Sequence, residues 1–233
     1  MLVAAAFVPT APLLVPEIAG GSAAADEELR TACRTAVARL LASNVDELVV
    51  VGAAPTSGPA LGGWDWRGFG VPVPTQAPEQ RLARPLAIGG WLLEQAGGHP
   101  SPPSFHGIAP GATPEDCAAL GAQLVTGDRR VGLLVCGDGS ACRTEKAPGF
   151  LDPAARAWDT AVVTALQTAD PAALLALDVE MGTRVLAEGR AAWQVLAGAA
   201  DSGRFASVVD WADAPYGVMY VAGTWTRKDV ASR

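Results

Sequence analysis

Histidine is scarce in this chain. Of 233 residues only two are histidine, His99 and His106, and both fall in one proline-rich stretch. Imidazole is the usual metal ligand and general base at neutral pH, so most histidine-based metal sites and any Ser-His-Asp arrangement are hard to build from this composition. Lysine is nearly missing as well, with only Lys146 and Lys228. Seventeen basic side chains face 24 acidic ones, a formal charge of -7. That is the wrong sign for a phosphate-binding surface, which works by displacing counterions with Lys and Arg, so DNA, RNA and anionic membrane surfaces are excluded as general partners. The 4 cysteines (Cys33, Cys117, Cys136 and Cys142) show no Cys-x-x-Cys spacing and are too sparse for a disulfide scaffold. No apolar run approaches the ~18 residues of a membrane span, and the opening residues lack the basic segment of a signal peptide. A cytoplasmic protein with reduced thiols is expected.

What the chain does have is apolar bulk. Half of it, 50%, is hydrophobic and 18% is charged, enough to bury a core and too apolar for disorder. The length and the lack of a linker or repeat point to one α/β domain over residues 1–226, followed by a charged tail at 227–233. Leu2 to Val8, Leu48 to Ala53 and Val131 to Cys136 are short β-rich apolar runs that read as strands buried on both faces. Between the first two, Leu29, Cys33, Val37, Leu40 and Leu41 recur at helical spacing over Ala24 to Ala42. Strand, helix, strand is the pattern of a largely parallel or mixed sheet with helices on both faces. Further helices are expected over Glu79–Ala96, Thr113–Val125, Asp152–Thr168, Pro171–Glu188 and Ala191–Ala200. Late strands are expected over Phe205–Trp211 and Val218–Trp225, as an antiparallel pair.

Ligands of open α/β sheets bind beyond the carboxyl ends of the strands. The densest polar segment in such a place follows the third strand: Asp138, Ser140, Arg143, Glu145 and Lys146. Asp138, Glu145 and Lys146 are its candidate acids and bases; a solvated turn of self-paired charges is the plain alternative. Gly137-x-Gly139-x-x-Cys142 half-fits a dinucleotide fingerprint, but the third glycine is absent and a polar loop follows where a helix must begin. Ser140 lies outside any nucleophile elbow. Trp64 and Trp66 stand in a glycine-rich loop, where they either cover a planar ligand or pack on the sheet.

The stretch Val8-Pro-Thr-Ala-Pro-Leu-Leu-Val-Pro-Glu-Ile-Ala-Gly20 resembles the opening of the LigB-like superfamily, the class III extradiol ring-cleavage dioxygenases and related Memo-like proteins. Val49 to Thr56, Cys136 to Ala141 and Glu188 to Gly198 resemble, in order, its later ligand and catalytic segments. The resemblance implies Fe(II) held by two histidines and a carboxylate, with a further histidine as acid and base. Here Thr10 stands at the first ligand position, Thr56 at the second and Ala141 at the catalytic histidine, while Glu188 alone keeps its identity. Neutral hydroxyls are poor donors to Fe(II), so the resemblance implies a retained fold with no metal centre, or with Fe(II) or another divalent ion bound weakly.

Three functions follow from that resemblance. The favoured one is a ring-cleavage fold without its metal, taking a small polar or aromatic ligand, or a protein, at Thr10, Thr56, Ser140, Arg143 and Glu188. The second is an enzyme of another reaction, using acid and base residues of the same cleft. The third is a metal enzyme that recruits His99, His106 or Cys142. The resemblance implies that Thr10, Thr56, Ser140-Ala141 and Glu188 converge on one cleft, with Asp138, Glu145 or Lys146 at the rim. Homo-oligomerisation is left open.

Overall fold

A computed structural model describes residues 1–20, 24–72, 77–200 and 203–228. In chain order the elements are β1 (Leu2–Val8), α1 (Pro16–Ala19), α2 (Ala24–Leu41), β2 (Glu47–Ala53), β3 (Gly58–Ala60), α3 (Arg84–Gln95), β4 (Ser104–Ile108) and α4 (Pro114–Leu124). There follow β5 (Val131–Cys136), α5 (Ala154–Thr168), α6 (Pro171–Leu175), α7 (Val179–Arg184), α8 (Arg190–Ala200), β6 (Phe205–Asp213) and β7 (Tyr220–Arg227). The sheet has seven strands in the order β3-β4-β2-β5-β1-β7-β6. Its middle is parallel, β4 with β2, β2 with β5 and β5 with β1, while β3 at one edge and the β7-β6 pair at the other run antiparallel to their neighbours. The fold is therefore a mixed α/β sheet.

The two faces of the sheet carry separate cores. Val49, Val51, Leu133 and Val135 face α4, α5, α6 and α8, whereas Leu48, Val50, Leu134 and Cys136 face α2 and α3. Each of these strands is buried along both faces, as parallel strands between helices must be. β1 breaks the alternation once. Its register with β5 shifts between Leu2 and Ala4, and Val3 and Ala4 consequently join the same core.

Several helices differ in extent from the sequence pattern. α3 begins at Arg84 rather than at Glu79, because Pro85 has no N–H to bond back along a helix and fits only its first turn. The apolar run over Pro171–Glu188 is two helices, since Asp178 accepts a hydrogen bond from Met181 N–H and starts α7 afresh. β3 and β4 are strands not expected from the sequence, β4 taking up the end of the proline-rich stretch that holds both histidines. Their pairing to each other and to β2 supplies the order that local sequence does not. Strand β7 runs through Arg227, so the expected tail starts no earlier than Lys228; residues 229–233 lie outside the described residues. Among the described residues no helix is long and apolar enough to cross a membrane.

Candidate active-site cleft

β1 and β5 are neighbours in register, with Val8 opposite Cys136. Thr10 and Asp138 therefore emerge side by side just past the strand ends. Thr10 N–H donates to Asp138 Oδ1 at 2.7 Å, and the Thr10 hydroxyl lies 2.8 Å from Asp138 Oδ2. Both residues are buried. The same hydroxyl lies 3.1 Å from Glu188 Oε2, onto which the Arg84 guanidinium donates at 2.5 Å. Four residues far apart in sequence thus form one chain, Asp138, Thr10, Glu188 and Arg84.

Two glycines make the approach of Glu188 possible. A Cβ on Gly137 would come within 2.3 Å of the Gly189 Cα, so neither backbone could carry a side chain there without moving the other. Gly189 N–H donates to the Asp138 carbonyl at 2.8 Å, which ties the segment before α8 to the segment after β5. Gly139 serves similarly: a Cβ there would meet Met219 at 2.7 Å. The glycines that half-fit a dinucleotide motif are thus used for close backbone packing.

Above this chain lies a cleft of about 520 Å³, the size of a small-ligand site. Asp138, Glu188 and Arg84 form its polar floor; Pro12, Pro110, Pro148, Leu186 and Val218 form apolar walls, and Tyr220 and Ala141 also border it. Thr10 does not line the cleft and is fully buried, so a ligand meets the two carboxylates and not the hydroxyl between them. Burial is the main cause that raises the Asp138 pKa, to about 6; the bonds from Thr10 and the Arg84 charge oppose it, and the Glu188 charge adds to it. Burial likewise pushes the Tyr220 phenol above its ordinary range. Arg190 borders the cleft but is occupied, donating to the Pro110 and Ala112 carbonyls and to Gln194 Oε1.

The remaining sequence candidates lie elsewhere. Ser140 donates through N–H and hydroxyl to Asp159 of α5 at 2.8 and 2.7 Å, and Arg143 donates to the same carboxylate at 2.9 Å. Arg143 and Asp159 border a separate, smaller hollow. Glu145 and Lys146 are exposed and do not line the cleft. Thr56 is exposed in the turn between β2 and β3, where the chain reverses to pair with β4, and it does not line the cleft either. His99 is bonded to the Val45 and Ser101 carbonyls, and His106 lies within β4. Cys142 is buried, with its sulfur against Gly149. Among the described residues no group of three or more His, Cys, Asp or Glu side chains is placed to hold a metal ion. Trp64 packs on Gly90 of α3 and edge-on to Phe105, which favours packing over ligand cover for that indole. Arg84, Tyr220 and Asp159 were not singled out by sequence. Arg84 carried no periodic signal, although its place before Pro85 marks it as a helix start.

No protein-family model matches the chain. No curated protein sequence matches it either. Among solved structures it is similar to an uncharacterized protein, JW3007, from Escherichia coli K12, at 15% identity and a TM-score of 0.59, over 95% of this chain and 99% of that one. At that identity the likeness shows the fold.

Proposed function

We propose that the chain is a LigB-like protein whose cleft binds a small polar or aromatic ligand without an Fe(II) centre. The observation that carries this reading is the chain Asp138–Thr10–Glu188–Arg84 at the floor of the cleft, where the resemblance would put a metal. The donor set does not suit Fe(II). Thr10 offers one neutral oxygen already engaged by two carboxylates, Glu188 is neutralised by Arg84, Ala141 has no donor atom, and Thr56 stands outside the cleft. Neither histidine borders the cleft to replace them. The apolar walls and polar floor suit a ring or short carbon chain bearing one or two oxygen functions.

Two measurements test the reading. Elemental analysis of purified protein should find no stoichiometric iron, zinc or copper, and catechol or protocatechuate should remain uncleaved after anaerobic loading with Fe(II). Yellow ring-opened product above the rate of free iron would overturn the reading. A melting-temperature screen of small phenols and carbonyl compounds should yield ligands, because a compound at 100 times its Kd adds ~2.7 kcal/mol of stability. A second reading, an acid–base enzyme of another reaction, is favoured by one observation. Asp138, with its pKa near 6, stands in the cleft beside an ionisable partner.

A further inference from the structure

The contacts beneath the cleft contain more acceptors than hydrogens. Thr10 brings an N–H and an O–H, and the N–H is used on Asp138 Oδ1. Its single O–H faces Asp138 Oδ2 at 2.8 Å and Glu188 Oε2 at 3.1 Å. One hydrogen cannot serve both. With both carboxylates ionised, the hydroxyl turns to one of them and presents a lone pair to the other. With a proton on Asp138 the chain is satisfied in one direction: Asp138 O–H donates to Thr10, and Thr10 O–H donates to Glu188, which is paired with Arg84. The orientation of one buried hydroxyl thereby reports the charge of Asp138 to Glu188.

Glu188 is the more exposed of the two carboxylates that line the cleft. Its side chain is 31% exposed, and its second oxygen, Oε1, makes no hydrogen bond among the described residues. Tyr220 borders the same cleft, and its hydroxyl likewise has no hydrogen-bond partner among the described residues, leaving it free to donate. Among the described residues no free nucleophile accompanies them: the Thr183 hydroxyl donates to the Val179 carbonyl, Ser140 is committed to Asp159, and Lys146 is outside. A base, a donor and apolar walls, without a nucleophile, are the parts of a proton-transfer site.

On the reading that this cleft takes a small ligand, we propose that it catalyses metal-free enolisation of a small carbonyl compound, with Glu188 as general base, Tyr220 as donor to the carbonyl oxygen, and Thr10 and Asp138 as positioning residues that set the strength of the base. In the step, a C–H bond next to the carbonyl breaks and its proton passes to Glu188 Oε1. The C–H electron pair becomes the C=C bond, and the carbonyl π pair moves onto oxygen, where the Tyr220 O–H donates. Return of the proton from Glu188 to that oxygen gives the enol, and return to carbon gives back the ketone. Nothing is oxidised or reduced and no co-reactant is consumed. When Asp138 is ionised, the Thr10 hydroxyl turns to it and leaves Glu188 the stronger base; when Asp138 is protonated, the hydroxyl turns to Glu188 and weakens it. The other ionisable groups facing Asp138 are Arg84 from α3, Tyr220 from β7, and the buried thiols Cys33 from α2 and Cys136 from β5, both pushed up by burial.

The test uses the full chain with acetylacetone and benzoylacetone, following exchange of the C–H for deuterium by proton NMR on both sides of pH 6. Wild-type protein should speed exchange over buffer by about 10²-fold or more, the ordinary scale of general-base catalysis. The rate should rise as Asp138 ionises. Glu188→Gln should abolish the acceleration, with Glu188→Asp, which shortens the reach, as the substitute if the amide variant does not fold. Tyr220→Phe should slow exchange at every pH. Asp138→Asn places an amide donor towards Thr10, holds Glu188 in its weak state and should flatten the pH profile, as should Thr10→Val; Thr10→Ser should restore it. The proposal is overturned if neither probe exchanges faster with wild-type protein, if Glu188→Gln matches wild type, or if the profile is unchanged in both Asp138→Asn and Thr10→Val. A probe that raises the melting temperature but does not exchange refutes enolisation and leaves the ligand-binding reading standing. If the wider ligand screen is also blank, both fall.

Discussion

Asp138 and Asp159 occupy the same local motif and differ in their third neighbour. Each carboxylate takes the backbone N–H and the hydroxyl of one residue, Thr10 for Asp138 and Ser140 for Asp159, at 2.7–2.8 Å. Burial raises both pKa values against those bonds. Asp159 then meets the Arg143 guanidinium directly, whereas Asp138 meets, across the Thr10 hydroxyl, a second carboxylate. The first arrangement is balanced and belongs to the framework. The second lacks a hydrogen and borders the cleft. Two buried aspartates, one just past β5 and the other in α5, thus separate scaffold from chemistry, and only the charge of the third partner tells them apart.

The largest effect should come from the balanced cluster. Asp159→Ala leaves Arg143 without its partner and Ser140 N–H without an acceptor, and should cost about 3–5 kcal/mol, read as a fall in the urea midpoint. A loss under ~1 kcal/mol would show that the cluster is ornamental.

Next comes the pH dependence of Asp138. Its folded pKa, about 6, lies above the ordinary 3.8, so its protonated form favours the fold. That contribution is complete below about pH 4 and is lost as pH rises through about 6. The difference of roughly two pKa units corresponds to about 3 kcal/mol. Measured against Asp138→Asn, wild type should lose stability across this window while the variant does not. Parallel curves would place Asp138 among the ordinary carboxylates.

Thr10→Val removes a bridging hydroxyl and leaves Asp138 Oδ2 without its donor, at a cost of about 1–3 kcal/mol. The matching change Ser140→Ala should cost a similar amount, but its effect should not vary with pH around 6. If both variants show the same pH dependence, the contrast between the clusters fails. Smallest of all, Glu145→Gln and Lys146→Gln on the exposed turn should change stability by less than about 0.5 kcal/mol and leave ligand binding untouched, which the same melting curves would reveal.

The same loop shows how far sequence carries. β1 and β5 were legible because parallel strands buried on both faces are unbroken apolar runs, and the crevice beyond their ends follows from that. The stripe of α2 was legible for the same periodic reason. What could not be read locally was direction. Asp138 and Ser140 are separated by one residue, yet one faces the cleft and the other faces α5, because Gly137 and Gly139 let the backbone press against Gly189 and Met219. Arg84 was hidden because nothing in a helix start announces a partner 104 residues away. Thr56 was placed by resemblance, but β3 turns the chain back along β4 and carries it away from the cleft. β4 itself lay behind Pro100, Pro102 and Pro103, whose composition signals a loop up to the residue before the strand begins.

The contact between Gly137 and Gly189 has a mechanical consequence. Because the Gly189 N–H is fastened to the Asp138 carbonyl, both carboxylates ride on one backbone joint. Leu186 and the proline walls set the width of the entrance, while the gap spanned by Thr10 is set at this joint. The width of the mouth and the hydrogen sharing at the floor thereby rest on different contacts. Gly189→Ala, which would wedge the joint apart, is the change that would link them.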